Sequence, residues 1–233
     1  MAIQRSDKFM GKPIAGAMER VLANAPKQEK ETLKNAPLLE DFVFVPSIGL
    51  YVAKQKELHG MNWNDCQATL HSRGDKMLSP YEFVEFLKHL RTKKDSGSQT
   101  ILDEIYKVAG NWRAEYLDAK FEKDGKKWFI NYHRFSPQGL IEPVRESLAP
   151  CLMKDKEPGI SLDDWLAHAN AQGLPSAEIN LGSLDYWAPF KGAVAGFGTH
   201  SGGAYLYCGR DPSYADSSLG VRSVRRKNKG EGK

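Results

Sequence analysis

Residues 192–226 read GAVAGFGTHSGGAYLYCGRDPSYADSSLGVRSVRR and give the clearest indication of the fold. Glycine is dense here, and β-branched or aromatic residues alternate with small ones. A period of two places successive side chains on opposite faces of a strand. The stretch therefore predicts short strands joined by long exposed loops. On the central strand it predicts an inward set (Ala204, Leu206, Cys208) and an outward set (Tyr205, Tyr207, Gly209).

The residues before this stretch carry local signals for further strands and helices. Apolar and aromatic runs at 42–45 and 50–53 predict two strands. Asn62 or Asn64 is suited to cap a helix that Gly74 ends. In a second helix Ser79 is the cap and Pro80 the first residue, and apolar residues recur at helical spacing: Phe83, Phe86, Leu87 and Leu90.

The middle of the chain predicts a loop, another helix and a hairpin. Residues 93–99 have the composition of a loop, and a helix is expected over about 101–108. The segments 115–121 and 127–133 flank Lys123-Asp124-Gly125-Lys126, the strongest hairpin signal in the sequence. A later helix is expected to begin after Ser161 and to end at Gly173.

The composition is that of an ordinary folded protein with no segment suited to cross a membrane. The chain has 233 residues, 41% hydrophobic and 27% charged, with a net charge of +4. Its start lacks the apolar core of a signal peptide, and no apolar run approaches the roughly 20 residues of a membrane span. A basic tail at 227–233 holds part of the positive charge, and nucleic acid is not expected as a partner.

The residue types that usually carry metal or redox chemistry are scattered. Cys66, Cys151 and Cys208 form no CxxC pair, which favours buried free thiols. The string Trp63-Asn64-Asp65-Cys66 favours a helix start over a calcium site, because too few oxygen ligands surround it. No two histidines stand at a metal-ligand spacing, although a catalytic Cys–His pair stays open because such partners meet in space. The sequence predicts no metal, no cofactor and no enzymatic activity.

Three separated stretches resemble the C-type-lectin fold in its formylglycine-generating-enzyme branch. Residues 68–83, ATLHSRGDKMLSPYEF, resemble that branch's helix, glycine and R-L-P-T-E-A-E-W pattern. Residues 194–197, VAGF, resemble its G-G-S-W strand, and Leu219–Arg225, LGVRSVR, is similar to its closing G-F-R-C-V-R. The enzymes of this branch use two cysteines about five residues apart near the C-terminus. Cys208 has no such neighbour, so the resemblance implies the fold without the activity.

A second branch of the same fold resembles the chain more closely: the variable proteins of diversity-generating retroelements, of the type described from archaeal viruses and related bacterial elements. Their C-terminal region ends in a Gly-Val-Arg-like strand. The DNA that encodes this region is replaced by a copy of a template, and the copy is altered at positions where the template has adenine. Template AAY codons become NNY codons, which cannot encode Lys, Glu, Gln, Met or Trp. None of these five residues occurs from Gly192 to Arg226. A glycine-rich region that merely avoids long side chains is the alternative explanation.

The resemblance and the pattern together predict a mixed α+β protein with a C-type-lectin-like domain at 41–226, an N-terminal helical extension at 1–40 and an insertion at about 93–175. Its function is expected to be display of a variable surface, at about 186–222, that binds a protein or cell-surface ligand. The rivals are a formylglycine-generating-type oxidase and a viral receptor-binding or structural protein with a fixed surface. The expected variable ligand-binding residues are Tyr186, Ala188, Phe190, Gly198, His200, Gly202, Gly203, Tyr205, Tyr207, Gly209, Asp211, Ser213, Tyr214, Asp216 and Ser218.

Overall fold

The computed structural model separates the chain into two compact units, Met1–Leu38 and Leu39–Lys233. In the first unit, strands β1 (Lys8–Phe9) and β2 (Lys12–Pro13) form an antiparallel pair. The helical extension predicted at 1–40 lies outside the described residues except at 8–9, 12–13 and 39–40, and the basic tail lies outside them entirely. The described residues are 8–9, 12–13, 39–108 and 111–226.

The second unit is a mixed α+β fold, as the sequence predicts. It begins with a 3-10 turn. Strands and helices alternate in its first half, and its second half consists mainly of strands. In chain order the described elements are the turn Leu39–Asp41, β3 (Phe42–Val45), β4 (Leu50–Ala53), α1 (Trp63–Ser72), β5 (Lys76–Met77), α2 (Pro80–Lys93), α3 (Ser96–Tyr106), β6 (Arg113–Asp124), β7 (Lys127–Phe135), β8 (Ile141–Ser147), β9 (Lys156–Ile160), α4 (Leu162–His168), β10 (Leu184–Trp187), β11 (Val194–His200), β12 (Gly203–Arg210), β13 (Leu219–Gly220) and β14 (Ser223–Arg226).

The small sheet joins the beginning of this unit to its end. Its strand order is β3-β4-β14-β5, and β4 runs antiparallel to β14 with Val52 opposite Val224. The two strands predicted at 42–45 and 50–53 are confirmed, and Gly49, with a φ of +67°, lies in the turn between them. Only glycine adopts this conformation at little cost.

The large sheet carries the C-terminal stretch in its interior. Its order is β8-β7-β6-β11-β12-β10-β9, and β13 pairs in parallel with β6. The β6–β7 hairpin turns at Gly125, which confirms the prediction. Strands β6, β7 and β8 come from the segment predicted to be an insertion, and β6 lies between β7 and β11.

Two helices begin at the predicted caps. In α1, the Asn62 Oδ1 accepts a hydrogen bond from the Asp65 backbone N–H at 3.0 Å. In α2, the Ser79 Oγ accepts from the Glu82 N–H at 3.3 Å, and the Glu82 carboxylate accepts from the Ser79 N–H at 2.8 Å. This reciprocal arrangement is a capping box. The Trp63-Asn64-Asp65-Cys66 string is therefore a helix start, as expected.

The next helices depart from the predicted limits. Helix α3 begins at Ser96, inside the segment expected to be a loop, because Asp95 caps it by accepting from the Ser98 N–H at 2.8 Å. Helix α4 begins after Ser161 as predicted but ends at His168. Gly173 instead closes a later turn, where its N–H donates to the Asn170 carbonyl at 2.9 Å.

Hydrophobic side chains pack on both faces of the large sheet. On one face Phe197 packs between Phe83 of α2 and Trp165 of α4, at ring distances of 5.1 and 6.1 Å. On the other face a smaller cluster joins Trp63 of α1 to Tyr116 of β6. Burial of each large apolar side chain stabilises the fold by about 1.5–3 kcal/mol. None of the described helices is long and apolar enough to cross a membrane.

Candidate functional site

The side chains of strand β12 alternate between its two faces as the sequence predicts, but the face expected to be exposed is partly covered by other side chains. Leu206 and Cys208 are fully buried in the main core. Tyr207 is half-buried on the opposite face, whereas Tyr205 is only 4% exposed. The prediction that Tyr205 is exposed is therefore wrong.

Three side chains from other strands and loops cover Tyr205. The Trp112 indole N–H donates to its hydroxyl at 2.5 Å. The His200 ring stacks on its ring at 5.5 Å, and the Trp187 ring meets it edge-on at 5.7 Å. Burial raises the pKa of Tyr205, with Arg210 acting in the opposite direction. Tyr205 is therefore a buried, hydrogen-bonded phenol on which the surface side chains pack.

Arg210, the last residue of β12, lies at the centre of the rings on this face. Its guanidinium carbon is 5.2 Å from the centroid of the Tyr207 ring and 5.5 Å from those of Trp112 and Tyr214. Such distances favour cation–π attraction. We define the aromatic cluster as Arg210 together with Trp112, Trp187, His200, Tyr205, Tyr207 and Tyr214.

The loop at 211–218 is held in place by hydrogen bonds. The Asp211 carboxylate accepts from the Ser213 N–H and hydroxyl, each at 2.8 Å, and these bonds lower the pKa of Asp211. The Tyr116 hydroxyl donates to the Tyr214 carbonyl. Asp216 accepts from the Ser218 N–H at 2.7 Å. The loop therefore presents its side chains from a fixed backbone, with Asp211, Ser213 and Tyr214 exposed and Asp216 and Ser218 half-buried.

Three further residues expected on the variable surface belong to the frame instead. Tyr186 is fully buried, its hydroxyl donates to the Leu152 carbonyl at 2.7 Å, and burial raises its pKa. Gly198 is buried against β6, where a Cβ would lie 2.7 Å from the Arg113 carbonyl oxygen. Gly203 is buried with a φ of +148°, a conformation that side-chain-bearing residues rarely adopt.

The remaining residues that were expected to bind the ligand lie at different distances from the aromatic cluster. His200 is at its rim, with its Nε2 3.7 Å from the Asp185 carboxylate. Gly202 is exposed and Gly209 is half-buried, and the atoms nearest to a Cβ at these positions belong to the side chains of His200 and Tyr207. Phe190, at 68% exposure, and the half-buried Ala188 lie on the loop after β10.

Sequence reasoning missed three members of the aromatic cluster. Trp187 and Arg210 are absent from the expected ligand-binding residues, and Trp112 lies in the segment expected to be an insertion. The contact between Trp112 and Tyr205 joins residues 93 apart, and no local pattern signals it. The one available signal is that a partly buried tryptophan needs an acceptor for its indole N–H.

The three cysteines are unsuited to redox chemistry as the protein stands. All are buried and free, and burial raises the pKa of Cys66 to about 12, of Cys151 to about 11, and of Cys208 well above its usual range. The reactive form of cysteine is the thiolate. No group of three His, Cys, Asp or Glu residues that could hold a metal occurs in the part of the chain that is described.

We therefore expect the native thiols to be almost inert. At pH 8 an aromatic disulfide reagent should label Cys66, Cys151 and Cys208 slowly, at the rate at which the protein opens, and denaturant should release all three at once. Absorbance of the released thiolate measures both rates. Rapid labelling of two cysteines in the native protein, or stoichiometric binding of copper(I), would contradict this and return an oxidase to consideration.

Two of the histidines, His71 and His133, belong to a polar cluster that links the β6–β7 hairpin to α1. The fully buried Asp118 accepts from the Gln67 side chain at 2.5 Å and from the His133 N–H at 2.8 Å. The His133 Nδ1 lies 3.2 Å from the same carboxylate, and His71 packs on the His133 ring at 4.4 Å. Within the described residues the thiol hydrogen bonds go to the Leu58 carbonyl and to the Met153 sulfur, and none joins a cysteine to a histidine.

Comparison of the chain with protein-family models, curated proteins and solved structures gave no match. The fold class consequently rests on the chain's own structure, a mixed α+β unit. The candidate site rests on the aromatic cluster and the loop at 211–218.

Proposed function

We propose that this protein is a ligand-binding display protein with a C-type-lectin-like domain, whose C-terminal surface is diversified by a retroelement. Its ligand is a protein or a cell-surface molecule. The observation that carries the proposal is that residues encodable by NNY codons lie together on β12, on the preceding β11–β12 turn and on the following loop at 211–218. The group comprises His200, Gly202, Tyr207, Gly209, Asp211, Ser213 and Tyr214.

The three stretches that resemble the C-type-lectin fold have matching secondary structure. Residues 68–83 run from α1 through a turn at Gly74 and strand β5 into α2. Residues 194–197 lie in β11, and Leu219–Arg225 runs through β13 into β14. These agreements support the C-type-lectin-like assignment for the domain at 41–226.

A surface that varies in sequence needs a frame that does not depend on the variable side chains. Here Leu206 and Cys208 anchor β12 in the core. Two backbone hydrogen bonds hold the loop whatever its side chains are: Trp63 N–H to the Pro212 carbonyl at 3.1 Å and Ala114 N–H to the Ser218 carbonyl at 3.1 Å. The bonds to the Asp211 and Asp216 carboxylates add to these in the present sequence. Tyrosine with small polar residues is also the composition of antibody paratopes, where rigid rings give contact area at low entropy cost.

The rival functions predict different chemistry. An oxidase of the formylglycine-generating type needs two neighbouring thiolates, and this chain has one cysteine, Cys208, in its C-terminal region. Its thiol is buried within the core. A viral receptor-binding protein with a fixed surface would share the aromatic cluster but would have no template.

The DNA around the gene tests the proposal. We expect a near-copy of the 3′ coding region in which differences fall on template adenines, at the first two positions of codons for exposed residues such as Tyr207, Gly209 and Ser213. Codons for Leu206 and Cys208 serve as the matched control and should be identical in both copies. A gene without such a copy, or with differences spread over other template bases, would overturn diversification and favour the fixed surface.

A further inference from the structure

Arg210 differs from the other buried cations of the described structure. Lys76 is paired with Glu82 at 2.5 Å, and Arg222 lies 3.2 Å from the Glu115 carboxylate. Arg210 is also buried, at 8% exposure, yet no described carboxylate lies within ion-pair distance of it. A buried charge without a counter-charge is costly, and proteins rarely retain one without a function.

The hydrogen-bonding capacity of Arg210 is also largely unused. Its Nε is buried and has no acceptor. Its Nη2 donates to the Tyr205 hydroxyl over 3.4 Å, a long bond to a neutral acceptor. Aromatic rings attract the cation but do not accept its N–H hydrogens as a carboxylate does.

The acidic residues of the loop at 211–218, and Asp185 beside His200, are engaged elsewhere. Asp211 accepts both hydrogen bonds from Ser213, and Asp185 faces His200. Asp216 accepts from the Ser218 N–H. The described residues therefore provide no counter-charge for Arg210, and a ligand can supply one.

We propose that Arg210 binds a carboxylate of an acidic peptide segment in the protein's ligand. This rests on the proposed ligand-binding function and names the chemical class that the site takes. Tyr214, at 43% exposure, and the half-buried Tyr207 flank the guanidinium and contact the peptide on either side of the carboxylate. Arginine presents a planar fork of donors that matches a carboxylate in two parallel hydrogen bonds.

The charge balance selects a carboxylate over a phosphate. Arg210 is the one permanent cation in the aromatic cluster, so a single negative charge neutralises it. A phosphate group carries nearly two negative charges at neutral pH and would leave an excess in a partly dehydrated site. Phosphopeptide sites usually gather several arginines for this reason.

The test uses the full chain and a blocked triglutamate peptide, followed by tryptophan fluorescence, because Trp112 borders Arg210. We expect saturable binding in the millimolar range or tighter, and no response to the matched triglutamine peptide. Arg210→Gln should weaken binding by at least about tenfold, as for loss of a charge-assisted bidentate contact. A triphosphoserine peptide should bind more weakly than triglutamate.

Arg210→Lys keeps the charge without the fork and decides the matter if Arg210→Gln does not fold. We expect Arg210→Lys to fold, by circular dichroism, and to bind triglutamate at least about fivefold more weakly than the wild type. Equal binding by either folded variant, no saturable response in the wild type, or a preference for the phosphopeptide would overturn the site. If the gene has a template copy but the protein does not bind triglutamate, the Arg210 inference is wrong and diversification stands. If the protein binds triglutamate but the gene has no template copy, diversification is wrong and the Arg210 site stands.

Discussion

Arg222→Met is expected to lower the free energy of unfolding by about 3–5 kcal/mol. Arg222 is 1% exposed and pairs with Glu104 and with Glu115, whose own exposure is 2%. It also donates to the Ala53 carbonyl at 3.3 Å and to that of Lys54. Burial raises the pKa of Glu115, with Arg222 the largest opposing influence. Without Arg222 the Glu115 carboxylate stays buried with too little compensating charge.

Urea unfolding at neutral pH measures this loss, and Arg134→Met is the matched control. Arg134 sits on the surface 3.9 Å from Glu142, so its replacement should change stability by about 0.5 kcal/mol or less. The double variant Arg222→Met with Glu115→Leu should recover part of the loss, because it leaves no unpaired carboxylate. Equal effects at Arg222 and Arg134 would contradict the buried network.

Local signals decided which elements the sequence could predict. The caps at Asn62 and Ser79 and the hairpin turn at Gly125 depend on residues within four positions of each other, and all three are confirmed. The start of α3 was missed because its Ser-Gly-Ser composition indicates a loop. The Asp95 cap and the burial of Ile101 and Ile105 outweigh that composition.

The sequence predicts which side of β12 each side chain lies on, but not which side chains pack over that side. A period of two separates Leu206 from Tyr205 on opposite sides of β12, and this holds. Whether a face is open depends on what packs over it, and Trp112 reaches Tyr205 from a distant part of the sequence. Likewise Gly198 can be assigned to the frame only when the Arg113 carbonyl beside it is known.

The division of β12 into frame and surface has a direct consequence for stability. Leu206→Ala should cost about 2–5 kcal/mol, through lost burial and the cavity that remains. Tyr205→Ser should cost a comparable amount, because it empties a buried site and leaves the Trp112 indole N–H without its acceptor. Tyr207→Ser should cost about 1 kcal/mol or less, since the ring is half-buried and its loss removes only contacts with Trp187 and Arg210.

The denaturant midpoints of these three variants measure the loss of stability at each position, provided that the slope of stability against denaturant concentration is unchanged. This measurement does not require the ligand to be known. Tyr207 is the matched control for Tyr205, because both are tyrosines on the same face of the same strand, two residues apart. A Tyr205→Ser variant as stable as Tyr207→Ser would show that Trp112 does not cover this face, and Tyr205 would return to the binding surface. A Tyr207→Ser variant as damaged as Leu206→Ala would instead place Tyr207 in the core, and the display surface would lose its central aromatic side chain.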